Sequence, residues 1–251
     1  MSWQAFAFAA APRTCFKTGR MRLSVVIPCY DEAGTVATVV DRVRTVDLGD
    51  VELEIVLVDD GSTDGTGEVL RELEARYPEV RAFAQPENRG KGAALARGFA
   101  EATGDFLLVQ DGDLEYSPAD YPKLLEPLLR GEADVVYGSR YLDRPWEKAR
   151  AWHRAGNQAL TGYSNLLSRL RLTDLHTCYK LFKREVFDQV ALEEERFGFC
   201  PEITAKVARA GYRVVEVPVS YEGRGWDEGK KIGWKDGVRA VWCITKYNLR
   251  P

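Results

Sequence analysis

The 251-residue sequence predicts an α/β protein built on an open, mostly parallel sheet with helices on both faces. Two observations carry that expectation. Short unbroken apolar runs such as LSVVIP and FLLVQ alternate with longer stretches whose apolar residues recur at helical spacing. The polar clusters PCYDE, DDGSTDG, ENRGKG, DGDLE and GSR each follow the end of such a run. In a parallel sheet those five loops converge on one edge, outside the carboxyl ends of the strands, where ligands bind.

Taken in order, LSVVIP (23–28) reads as the first strand, of the kind buried on both faces. Val36, Val39, Val40 and Val43 then fall at i, i+3, i+4 and i+7, one face of a helix. LEIVLV (53–58) is the second strand, and DDGSTDGT leads into a helix from about Thr66 that carries Val69, Leu70 and Leu73. A third strand over 80–85 passes through PENRGKG into a helix over 91–103, and FLLVQ (106–110) is the fourth strand. SPAD (117–120) marks a helix start, with Ser117 as N-cap, Pro118 at the first helical position and Asp120 at the third. ADVVYGSR (133–140) is the fifth strand. Beyond it the pattern is less regular: a helix over 155–170, the segment TCYKLFKREV (177–186), a helix over 201–210, a strand over 212–222 and a last helix over 232–248. There is no Pro/Gly/Ser-rich linker and no internal repeat, so one domain is expected over 22–251, behind an N-terminal extension of residues 1–21.

Hydrophobic content of 45% and charged content of 29% are those of a soluble globular chain. A net charge of −3 argues against generalised nucleic-acid binding. Cys15, Cys29, Cys178, Cys200 and Cys243 are odd in number and form no CxxC pair, which points to a reducing compartment and to thiols used as small hydrophobes. No run approaches the roughly 18–20 apolar residues of a membrane span. AFAFAAA (5–11) has no basic residue before it, so a secretory signal is not expected and a cytoplasmic location is.

Two nucleotide-binding patterns fail. GKGAALARG matches dinucleotide spacing only in its first two glycines and follows the third strand, and no GxxxxGK[ST] exists. A phosphatase-type nucleophile would be expected after the first strand, whereas DGD follows the fourth. What stands out is FLLVQDGDLEY, where a buried strand runs into Asp111, Asp113 and Glu115. Like charges so close raise one another's pKa unless something positive joins them. A hard divalent cation, which takes carboxylate and phosphate oxygens, would do so; a solvated acidic turn is the alternative.

In this order and spacing, SVVIPCYDE, VDDGSTDGT, NRGKGAALARGF, QDGDLEYSP and GSRY resemble the inverting family 2 glycosyltransferases of the GT-A fold, over residues 22–250. CYKLFKREV, EVPVSYEGRGWDEGKKI and WKDGVRAV are similar to the polyprenyl-phosphate sugar synthases, of the dolichol-phosphate mannose and glucose type. The resemblance implies a Rossmann-like sheet flanked by helices, with a nucleotide-sugar-binding half over 22–140 and an acceptor-binding half over 141–251. It implies that Pro28, Tyr30 and Glu32 line the base pocket and that Asp60 accepts a hydrogen bond from the base. Asp111 and Asp113 would hold Mg²⁺ or Mn²⁺ against the donor diphosphate, with Glu115 as a third carboxylate where relatives often carry Gln. Arg89 and Lys91 stand where cations could face the donor's phosphates or sugar, or form ordinary ion pairs. Arg140 and Arg224 match arginines that grip phosphate, and Arg154 is a weaker match.

The implied reaction moves a hexose from GDP-mannose or UDP-glucose to a polyprenyl phosphate with inversion. A phosphate monoester is largely ionised at neutral pH and needs arginines to place it, not a base to deprotonate it. A soluble hydroxyl acceptor would need one, and Glu202 is the candidate, although a carboxylate there also suits a helix N-terminus. A non-catalytic nucleotide-sugar-binding protein is the third reading. Neither His153 nor His176 is assigned a role. Trp234, Val238, Val241, Trp242 and Leu249, with Lys235, Arg239, Lys246 and Arg250, make the last helix amphipathic and basic. That helix fits either a peripheral contact with an anionic membrane or packing of its tryptophans on the core.

Overall fold

A computed structural model describes residues 19–143, 151–196, 198–223 and 234–250. Seven strands form one sheet: β1 (Arg22–Cys29), β2 (Glu52–Asp59), β3 (Val80–Ala84), β4 (Phe106–Val109), β5 (Val135–Ser139), β6 (Lys180–Lys183) and β7 (Val214–Pro218). They lie in the order β3-β2-β1-β4-β6-β5-β7. β1 pairs in parallel with β2 and β4, β2 with β3, and β5 with β7, whereas β6 runs antiparallel to β4 and β5. The unbroken apolar runs are buried on both faces, as a sheet covered by helices on each side requires: Leu23, Val25, Val26, Ile27 and Ile55 to Val58 have no exposed surface.

The helices are α1 (Val36–Arg44), α2 (Thr66–Arg76), α3 (Lys91–Glu101), α4 (Tyr121–Leu129), α5 (Ala151–Ser168), α6 (Arg184–Gln189), α7 (Phe199–Arg209) and α8 (Trp234–Leu249). α1 buries the four valines read from the sequence, Val36, Val39, Val40 and Val43. α3 lies so close on the sheet that a Cβ at Gly98 would collide with Val26 Cγ1 and stand 3.2 Å from Val58 Cγ2.

Four features depart from the sequence reading. β6 was not assigned, because two of its four residues are lysines; Lys180 is nevertheless fully buried, its ammonium donating to the carbonyls of Leu175 and Thr177 at 3.0 and 2.5 Å. α6 is likewise additional. β7 is shorter than 212–222, being a half-buried edge, and beyond it Tyr221 makes a single bridge to Tyr116. Ser117 makes no side-chain cap: a 3₁₀ turn, Pro118–Asp120, precedes α4, and the Asp120 carboxylate accepts from the Ser220 amide at 2.6 Å and from Lys123 at 2.7 Å.

The chain leaves β1 toward β2 and β3 on one side, while β4 lies on the other. The carboxyl ends of β1 and β4 therefore flank a topological switch point, the usual crevice for a ligand. DGDLE and PCYDE meet there.

The close contact at Gly98 gives a stability prediction. Gly98→Val should lower the urea midpoint by an amount equivalent to about 1–3 kcal/mol through overpacking. Gly156→Val, on α5 with nothing within 4 Å of the added carbon, carries the same change in helix propensity and serves as the control. Equal shifts for the two would show that α3 does not pack as described.

Candidate active site

The first two loops are laced together by side chains. Asp31, in the left-handed region at φ 52°, receives the Thr63 amide on Oδ1 at 2.9 Å, and its own amide donates to Ser62 Oγ at 3.1 Å. Asp64 accepts from the Ala33 amide at 3.1 Å, and the Glu32 amide donates to Thr66 Oγ1 at 2.9 Å. Such short polar residues satisfy loop amides that no strand neighbour can reach. Thr35 Oγ1 lies 2.6 Å from the Glu32 carboxylate and 2.9 Å from the carbonyl of Gly112, which joins the first loop to the DGD turn. Pro28, Tyr30 and Glu32, expected at the base pocket, are all half-buried at this carboxyl edge.

Asp60, expected to meet the base, is almost fully buried. Its Oδ1 accepts from Gln85 Nε2 at 2.7 Å and the Arg89 amide at 2.9 Å, and its Oδ2 accepts the Gly90 amide at 2.7 Å. Three of about four acceptor positions on the carboxylate are thus used to fix loop 85–90. Arg89 turns its guanidinium to Glu195, away from Asp111, so of the two cations only Lys91 reaches the DGD turn.

The three carboxylates that end β4 are separately satisfied. Asp111 Oδ1 receives the Lys91 ammonium at 2.5 Å. Burial works to raise the Asp111 carboxyl, but the ammonium beside it outweighs burial and holds it below the usual carboxylate range. Lys91 is raised well above its ordinary value in turn, Asp111 overcoming the opposing effect of burial. Asp113 Oδ1 accepts the Glu115 amide at 3.0 Å, and Glu115 Oε2 accepts the Tyr221 hydroxyl at 3.0 Å. Glu115 is therefore engaged with the strand-end residue Tyr221, and no group of three His, Cys, Asp or Glu side chains with metal-binding geometry occurs among the described residues. Asp111 and Asp113 provide hard oxygen donors, and a pair of carboxylates fits Mg²⁺ or Mn²⁺ when phosphate oxygens and water complete the shell. Beneath the turn, Gln110 is fully buried: its Oε1 accepts the hydroxyls of Tyr121 and Tyr179 at 2.7 and 2.8 Å, and its Nε2 donates to the Asp111 carbonyl at 3.0 Å.

Just beyond β5, Arg140 meets a partner that sequence reading missed. Its Nε and Nη2 donate to the two oxygens of Asp174 at 2.6 and 2.8 Å, and its amide donates to the same carboxylate at 3.2 Å. Asp174 has no exposed surface. Burial alone would raise its carboxyl, but the guanidinium keeps it below the ordinary range. The fork expected to grip phosphate is thus also the counter-charge of a buried carboxylate. A lysine, with no fork, could not keep both bonds, so Arg140→Lys should cost stability as well as any phosphate contact. The Arg154 guanidinium stands 4.8 Å from the Tyr141 ring and that of Arg140 stands 5.0 Å from the Tyr221 ring. Asn157 links the set, donating to Asp174 at 2.9 Å while its Oδ1 lies 2.9 Å from His176 Nδ1. Burial, with Lys180 adding to it, depresses His176 to about 4. Arg224 lies outside the described residues.

Glu202 is fully buried and accepts the amides of Glu193 and Glu194 and the ammonium of Lys206. Enclosed by three donors, it is placed to support a loop, not to meet a substrate hydroxyl. Cys29, Cys178 and Cys243 are buried, and burial pushes all three thiols up, Cys243 to about 12. α8 buries Ala240, Cys243, Ile244 and Tyr247 and turns Val238, Val241, Trp242 and Leu249 outward, with Trp242 46% exposed. Arg239 and Lys246 stand 4.4 and 4.6 Å from the Trp242 ring. Trp242 is therefore not a core residue. No helix among the described residues is long and apolar enough to cross a membrane.

A mostly parallel sheet with paired aspartates at its switch point defines the class, a GT-A sugar-nucleotide transferase fold. The profile of glycosyl transferase family 2 matches residues 24–191, and the chain belongs to that family. It is 31% identical over 238 residues to the undecaprenyl-phosphate mannosyltransferase of Micrococcus luteus, covering 91% of this chain and 95% of that protein. It is 33% identical over 233 residues to the dolichol-phosphate mannosyltransferase of Pyrococcus furiosus, covering 90% of this chain but 64% of the relative. With glycosyltransferase AglD of Haloferax volcanii it shares 33% identity over 211 residues, 82% of this chain and 34% of that one. The chain thus spans nearly all of the Micrococcus relative and a smaller part of the other two. Glucosyl-3-phosphoglycerate synthase of Mycobacterium tuberculosis, crystallised with Mn²⁺, UDP and phosphoglyceric acid, has the same fold, with a TM-score of 0.70 at 22% identity over 92% of this chain and 80% of that one.

The depressed His176 fixes the sign of one pH effect. As pH falls below the ordinary value of 6.5, the unfolded chain gains a proton that the native state accepts only near 4, so stability falls across that window. His176→Gln should remove this component, and urea unfolding of both proteins across the window measures it. Parallel stability–pH curves for the two would refute it.

Proposed function

We propose that this protein transfers a hexosyl group from a nucleotide sugar to a polyprenyl phosphate, with inversion at the anomeric carbon. The observation that carries the reading is the meeting of Asp111, Asp113 and Lys91 with the first-strand loop at the sheet's switch point. The lipid acceptor is favoured by the near full-length likeness to an undecaprenyl-phosphate mannosyltransferase.

In the reaction, an oxygen of the acceptor phosphate attacks the anomeric carbon as the bond to the diphosphate breaks, and the nucleoside diphosphate leaves with the electron pair. No proton has to be removed from an ionised phosphate, which accords with Glu202 being enclosed by donors. A divalent ion held by Asp111 and Asp113 would supply Lewis-acid stabilisation of the charge growing on the leaving group. Lys91 adds positive charge at the same edge. Pro28, Tyr30 and Glu32 line the base side, and Asp60 acts on it by holding the turn at Arg89 and Gly90. Arg140 after β5 and Arg154 on α5, with Arg224, would receive the acceptor phosphate.

A radiolabelled sugar nucleotide, offered with a polyprenyl phosphate, a soluble phosphomonoester or water alone, tests this reading. GDP-mannose and UDP-glucose are run side by side. Labelled lipid should appear, in a divalent-ion-dependent manner, and Asp113→Asn should lower turnover by about a hundredfold or more with the fold intact. Transfer only to the soluble acceptor, or full activity in excess EDTA, would overturn the lipid or the metal part respectively.

The same lipid substrate gives α8 a role as a peripheral contact with an anionic bilayer. Its outward face combines Trp242 with flanking Arg239 and Lys246, a combination that lies at headgroup depth. Co-sedimentation with anionic vesicles should be salt-sensitive and should weaken in Trp242→Ala, while activity on a short, water-soluble polyprenyl phosphate is retained. Equal sedimentation of the folded variant and the parent would reject this face.

A further inference from the structure

Loop 190–196 sits where three parts of the molecule meet. Glu202, in the first turn of α7, accepts two consecutive loop amides, Glu193 at 2.7 Å and Glu194 at 2.9 Å, and Lys206 lies 2.6 Å from the same carboxylate. From α8, Arg239 and the Tyr247 hydroxyl hold the buried Glu194 carboxylate at 2.6 and 2.7 Å. On its far side the loop meets the start of α3, where the Glu195 carbonyl accepts the Ala93 amide at 2.9 Å. The fit is close enough that a Cβ at Gly92 would collide with the Glu194 carbonyl, and one at Gly90 would lie 2.7 Å from that of Glu195. Asp60 holds the opposite side of the same turn through the Arg89 and Gly90 amides. Lys91 projects from between the two glycines to Asp111.

We propose that Glu202 and Glu194 are positioning residues for the donor site: by fixing loop 190–196 they press its carbonyls onto Gly90–Ala93 and set where the Lys91 ammonium stands at Asp111. The inference rests on the donor reading above and extends it to residues that touch no substrate. A carboxylate is needed at 202 because two loop amides, that of Glu194 buried, require an acceptor each. Glutamine offers one oxygen and would turn an NH₂ group against the second amide. The glycines of NRGKG then have a physical cause, which is close approach of protein carbonyls and not of a dinucleotide.

Glu202→Gln, Glu194→Gln, Gly92→Ala and the double variant Glu202→Gln/Gly92→Ala test the proposal, with Leu128→Ala as a destabilised control in the core under α4. Three quantities are measured: melting temperature, hydrogen exchange at the Ala93 amide, and calorimetric binding of Mn²⁺ with GDP and, separately, with UDP. The parent should bind one of the two nucleotides. Each folded single variant should exchange faster at Ala93 and bind that nucleotide about 10–100-fold more weakly, as loss of supporting contacts around a metal site does. The double variant should be no weaker than the worse single, because both break one contact. Leu128→Ala should lower the melting temperature and leave the affinity unchanged. Parental affinity in folded Glu202→Gln, or additive losses in the double variant, would overturn the proposal. If Glu202→Gln does not fold, Glu194→Gln and Gly92→Ala decide in the same way. A folded parent that binds neither nucleotide overturns the donor reading itself, and this inference falls with it.

Discussion

The pairing of Lys91 with Asp111 is the contact on which the carboxyl edge of the sheet depends. Ending a buried strand in three carboxylates stores repulsion at the mouth of a crevice, where water cannot screen it fully. The molecule relieves it one group at a time: an ammonium at Asp111, an amide at Asp113 and a phenol at Glu115. The ammonium comes from the start of α3 and the phenol from the segment beyond β7, so the turn binds those two parts together as well. Lys91 can serve only if its short turn is held rigidly, and Asp60 holds that turn from one side while loop 190–196 holds it from the other.

A second ion pair, between the end of β5 and the segment before β6, follows the same logic. There a fully buried carboxylate, Asp174, needs a counter-charge, and Arg140 supplies a bidentate one. Glu216 on β7 fixes the approach by accepting the amides of Thr173 and Asp174 at 2.7 and 3.0 Å. The two halves touch through aromatic residues: Tyr116 bridges Tyr221, whose hydroxyl reaches Glu115, and the Tyr116 ring packs 4.8 Å from that of Tyr179. Any movement of the segment after β7 is thereby felt at the DGD turn, because Glu222 donates its amide to the Glu115 carbonyl at 2.8 Å.

α8 shows how one amphipathic helix can face two environments. Its inner face is tied into the loop that supports Lys91, through Arg239 and Tyr247 on Glu194. Its outer face carries exposed valine, leucine and tryptophan with cations stacked beside the indole. The cations serve both faces, since Arg239 bonds Glu194 and also lies against Trp242. A helix with an occupied inner face can present its outer one to a membrane without loosening the domain.

By itself the sequence determined six of the seven strands, most of the helices and the edge at which the polar loops gather. Strand and helix periods are local, and the switch-point rule turns an ordered set of polar loops into a place. It also determined which residues stand there, from Pro28 and Asp60 to Asp111, Asp113 and Lys91. What only the tertiary structure decided was how those residues are spent. Asp60 supports a turn, Arg89 leaves for Glu195, Arg140 is committed to Asp174, and Glu202 closes on loop amides. β6 escaped the sequence because a buried lysine satisfied by two carbonyls has no periodic signature. A charged side chain chooses its partner by proximity in space, and the partners in the ion pairs of Lys91, Arg140 and Arg89 lie from 20 residues away, as for Lys91 and Asp111, to 106, as for Arg89 and Glu195. Periodicity reads neighbours three or four positions apart and cannot see across that distance.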